Sequence, residues 1–324
     1  MTRRGRWRGA LAAALLLLRP GAALAAPGPQ IWFAPQAPYP PAHIQGPPDF
    51  MALFAPDAPW QTVARHVQVL KLPTQFLSWV PDAQLATIVG FLKQHGIALA
   101  IESLAQSWVG QPPCGQGVEG YGDPDQAAQI ATKIKRVGGV LSYVAMDEPL
   151  FFGHFYTGKN ACRSSVDNVA ERVSAVLSEY RAVFPHVKLG DIEPAGAALL
   201  PGWGPAYAAF LNAVRTRMGH GLGFLHADVD WNAPGHMSGM LDLRGIALAN
   251  RLTFGVIYNG RDTDRTDGAW LANLAANGRA IEKALGGPPA QIVFESWAHY
   301  PDHLLPETSP RSLTNGILRY VGAR

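Results

Sequence analysis

Short apolar runs alternate along the chain with longer segments in which apolar positions recur every three or four residues. Eight apolar runs, each five to seven residues long, are rich in Val, Ile, Leu and aromatic side chains. That composition and length are typical of buried parallel strands. The predicted strands cover residues 31–36, 68–72, 98–102, 141–146, 187–192, 223–229, 253–258 and 291–295.

The segments between the strands have the ends of amphipathic helices. Asp82 stands where one segment starts, and Gly96 follows its last residue, as expected for a helix. The predicted helices are 83–95, 123–139, 165–184, 207–218, 241–250 and 268–285. Eight strands that alternate with helices over about 300 residues predict an α/β fold, a single-domain (β/α)8 TIM barrel. A doubly wound open sheet is the alternative, but no Gly-rich dinucleotide-binding turn follows an early strand.

The first 25 residues differ in composition from the rest of the chain. They contain five arginines and no acidic residue, and an apolar run at 11–18 precedes the small-residue site Ala23-Leu24-Ala25. This order is typical of an export signal. We therefore expect a signal peptide over residues 1–25, a barrel domain over 26–324, and a secreted or periplasmic protein.

The charge of the chain changes sign when this leader is set aside. The whole sequence has a formal net charge of +3, but 22 basic and 24 acidic residues remain after residue 25. A chain with that balance lacks a basic surface dense enough for nucleic acid. No later apolar run reaches the length of a membrane span, so no span is expected after signal cleavage. The sequence leaves the oligomeric state open.

The two cysteines, Cys114 and Cys162, fall in predicted loops. In an oxidising compartment the expected state is one disulfide, and two cysteines alone make no metal site.

Carboxylates end five of the eight predicted strands. In a TIM barrel these ends open on one face, where active sites lie. Carboxylates that share a cleft repel one another, which raises some pKa values and keeps a proton available. Glycosidic bond cleavage needs such a proton donor together with an anionic partner. The strand-end carboxylates are Glu102, Asp147, Glu148, Asp191, Glu193, Asp228, Asp230 and Glu295, and His226 shares one strand face with the pair at 228 and 230.

Aromatic side chains fall at the same ends. Indole faces suit the apolar faces of sugar rings, whereas the alternative is that these side chains anchor loops on the barrel rim. Tyr258 and Asn259 end the seventh strand and complete the predicted sugar-binding set with Glu102, Glu193, Asp228 and Asp230. Tryptophans follow the second, third, fifth, sixth and eighth strands, at Trp79, Trp108, Trp203, Trp231 and Trp297.

The segment 143–149, which ends in Asp147-Glu148-Pro149, resembles the strand-four signature of the large clan of retaining (β/α)8 glycoside hydrolases. In that clan an Asn-Glu-Pro or Asp-Glu-Pro triplet supplies the acid/base glutamate, so the resemblance implies that Glu148 donates the proton. Trp297 is similar in position to the aromatic residue that forms the clan's floor beneath the reactive sugar.

The resemblance fails at the seventh strand, where the clan carries its nucleophilic Glu and this chain has Tyr258-Asn259. Three explanations stay open. Glu295 on the eighth strand has taken the role, or another strand-end carboxylate such as Asp228, Asp230 or Glu193 acts instead, or the strand count is off by one. We take Glu148 as general acid/base and Glu295 as its anionic partner, in a secreted glycoside hydrolase that acts on a poly- or oligosaccharide and needs no cofactor or metal.

Two other functions compete with hydrolysis. One is a metal-dependent barrel enzyme, because strand-end carboxylates and a histidine can hold a divalent ion. Its ligands would come from Glu102, Glu148, Glu193, His226 and Asp228. The other is a barrel that binds carbohydrate without cleaving it, because the seventh-strand Glu is missing.

Overall fold

The computed structural model describes residues 28–39, 46–108 and 114–323. The signal peptide predicted over residues 1–25 lies outside the described residues. The described chain contains the strands β1 (Gln30–Ala34), β2 (Val69–Pro73), β3 (Ala98–Ser103), β4 (Gln106–Ser107), β5 (Tyr121–Gly122), β6 (Leu141–Asp147), β7 (Lys188–Pro194), β8 (Phe224–Asp228), β9 (Thr253–Tyr258) and β10 (Gln291–Glu295).

Eight of these strands close into one parallel barrel. Each barrel strand pairs with the next in the chain, and β10 pairs with β1 with Phe294 opposite Phe33. The short strands β4 and β5 pair with each other in the loop between β3 and β6. The predicted (β/α)8 barrel is thereby confirmed, and the closed β1–β10 pairing rules out the open sheet. It also rules out an error in the strand count, since β10 is the eighth barrel strand.

The helices cover the outside of the barrel. They are α1 (Gln61–Ala64), α2 (Thr74–Trp79), α3 (Asp82–His95), α4 (Gln126–Arg136), α5 (Val166–Val183), α6 (Trp203–Met218), α7 (His236–Ala249), α8 (Asp267–Leu285) and α9 (Leu313–Gly322). Both α6 and α7 begin several residues earlier than predicted. Each follows a glycine with positive φ, Gly202 at 83° and Gly235 at 76°, in place of the polar N-cap that sequence patterns look for. Within the described residues, no helix combines the length and the apolar character needed to cross a membrane.

Alternation along each strand divides its side chains between two layers. One set packs inside the barrel and forms its own core, whereas the other set joins the larger core between strands and helices. The interior set is Trp32, Ala34, Val69, Ala100, Tyr143, Ala145, Ile192, Phe224, Ile257 and Val293. Positions two residues beyond these, toward the C-terminal strand ends, therefore face the mouth of the barrel.

His226 belongs to this interior. Its Nε2 lies 2.8 Å from Gln291 Oε1, and its ring meets the Trp32 ring edge-on at 4.9 Å. Burial lowers the pKa of His226 to about 3, so the ring is neutral over the physiological range. We assign it a structural role below the mouth.

Candidate active site

The interior side chains become charged where the barrel opens at the C-terminal strand ends. A cavity of about 510 Å³ lies at this mouth. Lys71, Glu102, Asp147 and Glu295 line it from β2, β3, β6 and β10. Asp228 ends β8 and Asn259 directly follows β9, and neither lines the cavity. The mouth therefore combines several carboxylates with one lysine from the strands.

Lys71 is the cation of this group and is 2% exposed. Its Nζ donates to a carboxylate oxygen of Glu102 and to Glu295 Oε2, the latter at 2.7 Å. Burial works to lower the pKa of Lys71, but the two carboxylates outweigh it and hold the pKa above its ordinary value. Lys71 is therefore charged and bridges β3 to β10 across the mouth.

Glu295 is one of the two carboxylates that share this ammonium, and it is 7% exposed. Burial and then the neighbouring Glu102 raise its pKa well above the ordinary value, while Lys71 opposes them. One positive charge thus compensates two carboxylates. Glu295 ends β10, which lies opposite β6 in the closed barrel, and its carboxylate is in direct contact with a cation.

Glu148 has a different environment. It follows β6 directly, one residue beyond Asp147, and unlike Asp147 it does not line the cavity. It is 7% exposed, and its side chain makes no hydrogen bond or ion pair with the described residues. Burial raises its pKa well above the ordinary value, and Asp228, Asp147 and Glu119 raise it further. With acidic neighbours and no cation, Glu148 favours the protonated form that a proton donor needs.

The backbone holds Glu148 in an unusual conformation. Its φ is 46°, in the left-handed region that favours glycine. Its N–H donates to the Ile192 carbonyl at 3.2 Å, and its own carbonyl accepts from Phe152 N–H at 3.0 Å. Such conformations concentrate at functional sites, where surrounding contacts enforce them.

Asp228 is the acidic neighbour with the largest charge effect on Glu148. Its Oδ1 is buried and has no hydrogen-bond partner among the described residues. Burial raises the pKa of Asp228 to about 7, with Glu119 adding to the effect and Lys71 opposing it. Asp228 therefore changes charge close to neutral pH.

The raised pKa of Asp228 predicts a stability change in the Asp228→Asn variant. Folding raises the pKa of this carboxyl from 3.8 to about 7. Its contribution to the free energy of unfolding is therefore complete below pH 3.8 and is lost as the pH rises through about 7. At pH 8 the variant should therefore be more stable than the wild type by on the order of 2 kcal/mol, and at pH 3.5 the two should be alike. Urea unfolding at both pH values measures this, with exposed Asp230→Asn as the matched control. Equal stability of Asp228→Asn and wild type at pH 8 would contradict it.

A loop supplies a further carboxylate, Glu119, to the cavity. The next residue, Gly120, has φ 76°, and a Cβ there would lie 2.5 Å from the Asp147 carbonyl oxygen. Only glycine allows the loop to approach β6 so closely. Desolvation and then Glu102 raise the pKa of Glu119. The loop thus brings a second acidic side chain, which is exposed, to the cavity that Asp147 lines.

The disulfide joins this loop to the loop after β6. Cys114 and Cys162 are bonded, with their Cα atoms 4.9 Å apart, which confirms the predicted pairing. Nearby, Gly115 N–H donates to the Asn160 carbonyl at 2.8 Å, and Asn160 Nδ2 donates to the Gln116 carbonyl at 2.8 Å. The two loops beside Glu148 therefore form one connected wall.

Two predicted site residues face the helices instead of the mouth. Glu193 is fully buried and accepts from the N–H groups of Leu150 and Phe151, at 2.9 and 3.2 Å. Tyr258 is 1% exposed and donates to Glu282 Oε1 at 3.3 Å in the layer beneath α8. Both stand on the outer face of their strands, because they differ by one position from the interior set. Neither lines the cavity.

The predicted tryptophans do not share one surface. Trp297 is 43% exposed and lines the cavity, whereas Trp79, also 43% exposed, ends α2 and does not line it. Trp203 is 1% exposed and packs in the core at the start of α6, so it is a structural anchor and the prediction of a sugar contact there was wrong. Trp108 is half-buried after β4. Trp231 is half-buried as well, and its Nε1 donates to Asn259 Oδ1 at 2.8 Å.

The remaining predicted residue, Asp230, lies beyond the end of β8 and is exposed. Its Oδ1 accepts the N–H of Asn232 at 2.8 Å, which closes a turn. It does not line the cavity.

Sequence reasoning missed two residues at the mouth, Lys71 and Glu119, and it listed Asp147 as a strand-end carboxylate without giving it a role. Lys71 had a usable signal, because a lysine within the apolar run 68–72 stands two residues after the interior Val69. Glu119 had no signal, since its approach depends on Gly120 and the disulfide.

The residues proposed as ligands in a metal-dependent enzyme do not come together around one point. His226 lies inside the barrel, Glu193 faces the helices, and the ammonium of Lys71 occupies the space between Glu102 and Glu295. In the described part of the chain, the group of three potential ligands with donor atoms within 4.8 Å of one another is Asp267, Asp302 and His303. Arg311 already pairs with Asp267 there, at 2.9 Å, and none of the three lines the cavity.

Comparison with known proteins identifies the fold. No protein-family model and no curated protein sequence matches the chain. A fungal β-1,4-galactanase shares 9% sequence identity with it at a TM-score of 0.55, over 90% of this chain and 100% of the galactanase. Xylanase 10B from Thermotoga petrophila, solved with xylobiose, shares 12% identity at a TM-score of 0.54, over 90% and 94% of the two chains. Native xylanase 10B from Thermotoga maritima shares 13% identity at a TM-score of 0.52, over 91% and 96%. At these identities the likeness shows that the chain has the (β/α)8 barrel fold found in these enzymes.

Proposed function

We propose that the protein is a secreted glycoside hydrolase that cleaves a poly- or oligosaccharide, with Glu148 as general acid and Glu295 as the anionic partner. The observation that carries the proposal is Glu148 itself. It is a buried carboxyl directly after the C-terminal end of a barrel strand, next to the cavity-lining Asp147, without any hydrogen bond or ion pair among the described residues, and surrounded by acids. That environment suits a group that must be protonated before it reacts.

The two glutamates divide the chemistry by their surroundings. Glu148 transfers its proton to the glycosidic oxygen as the bond from that oxygen to the anomeric carbon breaks. Glu295, opposite it, faces the positive charge that develops on the sugar, and Lys71 stabilises its ionised form. A water molecule supplies the hydroxyl group of the product and returns a proton to the site. Whether Glu295 attacks the sugar or activates the water is decided by the separation of the two carboxyls in the complex.

The surroundings of the mouth support a carbohydrate ligand. Trp297 offers an exposed indole face at the edge of the cavity, beside Gln36 and Tyr39. The same fold occurs in proteins named galactanase and xylanase, one of them solved with xylobiose. The composition of residues 1–25 supports export, which would bring the enzyme to polysaccharides outside the cytoplasm.

A polysaccharide panel tests the proposal. The purified protein is incubated with xylan, galactan, β-glucan, chitosan and chitin, and released reducing ends are measured. We expect turnover of at least one polymer. Glu148→Gln protein, prepared identically, serves as the control for contaminating activities and should release none above background. Binding of a polymer with no turnover by the wild-type protein would contradict the proposal and favour a binding-only barrel.

A further inference from the structure

A second cavity lies outside the barrel, between the barrel wall and the helices α8 and α9. We call it the α8–α9 cleft. Its volume is about 510 Å³, and none of the described residues that line it also lines the cavity at the mouth. Tyr258 and Phe294, on the outer faces of β9 and β10, form its inner wall. A cavity of this size is typical of sites that bind small organic molecules.

Two glycines hold the walls of the cleft at close range to their neighbours. A Cβ on Gly316 of α9 would lie 2.9 Å from a methyl carbon of Leu274 and 3.1 Å from one of Leu271, both on α8. A Cβ on Gly278 of α8 would lie 2.9 Å from the ring of Tyr258. The helices are therefore already packed against each other and against the barrel wall, so the space between them is preformed.

The lining of the cleft changes from apolar to charged along its length. Helix α8 contributes Leu271 and Leu274 from its first half, and Arg279 and Glu282 from its second half. With a rise of about 1.5 Å per residue, positions 271 and 282 lie roughly 16 Å apart along the helix. Helix α9 repeats this order, with Arg319 in its second half. The cleft thus has an apolar end and a charged end.

The charged end carries an excess of positive charge. Glu282 Oε1 accepts hydrogen bonds from the hydroxyl groups of Tyr258 and Tyr320, at 3.3 and 2.7 Å. Arg279 and Arg319 are exposed, and neither makes a hydrogen bond or ion pair with another described residue. Two arginines against one glutamate leave one net positive charge among the described lining residues. Guanidinium groups bind a carboxylate well, because their N–H groups match its two oxygens.

We propose that the α8–α9 cleft binds a medium-chain fatty acid, an alkyl chain that ends in one carboxylate. The chain would lie against Leu271 and Leu274, and the carboxylate would pair with Arg279 and Arg319. A sugar is a poor match, because its hydroxyl groups would lose water at the apolar end without gaining hydrogen bonds from leucine side chains. The inference goes beyond the proposed hydrolysis and does not depend on it.

Three probes with the same alkyl chain and different head groups test the choice of a carboxylate. Decanoate is anionic, decanol is neutral and decyltrimethylammonium is cationic. Binding of each to the wild-type protein is measured by calorimetry at pH 7.5 and low salt. Decanoate should bind at least about tenfold more tightly than the other two, and 1 M salt should reduce this advantage because it screens the arginines. Equal binding of the three probes, or no binding of decanoate, would overturn the proposal.

Variants at each end of the cleft locate the bound probe. Arg319→Gln should weaken binding of decanoate about tenfold and change binding of decanol little, whereas Arg215→Gln, at an exposed position of α6, should change neither. Ala275→Leu places a larger side chain in the cleft and should weaken binding of both probes. Ala276→Leu makes the same change at an exposed position that does not line the cleft, and should weaken neither. Unchanged binding of decanoate to Ala275→Leu would place the probe elsewhere and overturn the proposal.

The outcomes separate this inference from the proposed function. Absence of decanoate binding would overturn the fatty-acid site, whatever the polysaccharide panel shows. Selective binding of decanoate that depends on Arg319 and Ala275 would support the site even if no polymer is cleaved. Cleavage of a polymer by Ala275→Leu at the wild-type rate, together with its loss of decanoate binding, would show that the cleft and the mouth are separate sites.

Discussion

Replacement of Glu148 by Gln is expected to lower kcat by about 10²–10⁴-fold on whichever polymer the wild-type protein cleaves. The amide keeps the size and most of the shape of the side chain, but it has no acidic proton to give to the leaving oxygen. The side chain makes no hydrogen bond with the described residues, so the substitution breaks no contact seen in the structure. KM should therefore change far less than kcat.

The pH dependence of the wild-type rate gives a second measure of the same group. Burial and four acidic neighbours raise the pKa of Glu148, so the proton donor stays protonated well above the usual range of a glutamate. The rate should fall on the alkaline side as this proton is lost, and the Glu148→Gln variant should lack that limb.

Glu171→Gln provides the control for this experiment. Glu171 is exposed on α5, and the substitution is chemically identical. Its kcat should equal that of the wild type. If Glu148→Gln retained the full rate, Glu148 would not be the proton donor, and Asp228 would be the next carboxyl to test.

Replacement of Lys71 by Met is expected to destabilise the fold by about 3–5 kcal/mol at neutral pH. The substitution leaves Glu102 and Glu295 close together without their shared cation, and Glu295 is deeply buried. Methionine fills a similar volume, so the cost arises from charge and not from a cavity. Denaturant unfolding at pH 7.5 measures the loss.

The pH dependence of this destabilisation follows from how Lys71 and Glu295 titrate. The pKa of Lys71 is raised on folding, so its contribution is complete below its unfolded pKa of 10.5 and is lost only as the pH rises through the higher folded value. The lysine therefore stays charged throughout the range of the experiment. The carboxyl of Glu295, with a pKa raised above 4.5, becomes neutral as the pH falls, so the penalty of the variant should shrink toward pH 4.

Two controls separate the ion pair from a general effect of losing a lysine. Lys93→Met changes an exposed lysine on α3 and should cost less than about 0.5 kcal/mol. The double variant Lys71→Met with Glu295→Gln should recover part of the lost stability, because it removes one of the two uncompensated charges. A double variant no more stable than Lys71→Met alone would show that the pair does not couple as the structure indicates.

The barrel was predictable because each of its strands carries an apolar run and amphipathic segments separate them, although α6 and α7 start after a glycine and so began earlier than predicted. The site was predictable only in part. Strand ends were identified correctly, but an end alone does not say which way a side chain points. Glu193 and Tyr258 were placed in the site on that basis, and each faces the helices because it is one residue out of step with the interior set.

The same alternation, applied from Val69, places Lys71 inside the barrel, so that residue was within reach of sequence reasoning. Glu119 was not. Its position depends on a glycine packed against the carbonyl of Asp147 and on a disulfide that joins two loops, and both contacts connect residues far apart in the chain. Long-range contacts of this kind leave no periodic pattern to recognise.

The backbone at Glu148 also bears on how this protein can be engineered. A left-handed conformation costs a residue with a side chain about 1 kcal/mol relative to glycine. The position where the fold would gain from having no side chain is the position where hydrolysis needs one. Selection of variants for stability alone would therefore favour Glu148→Gly. That substitution would remove the residue proposed to carry the activity.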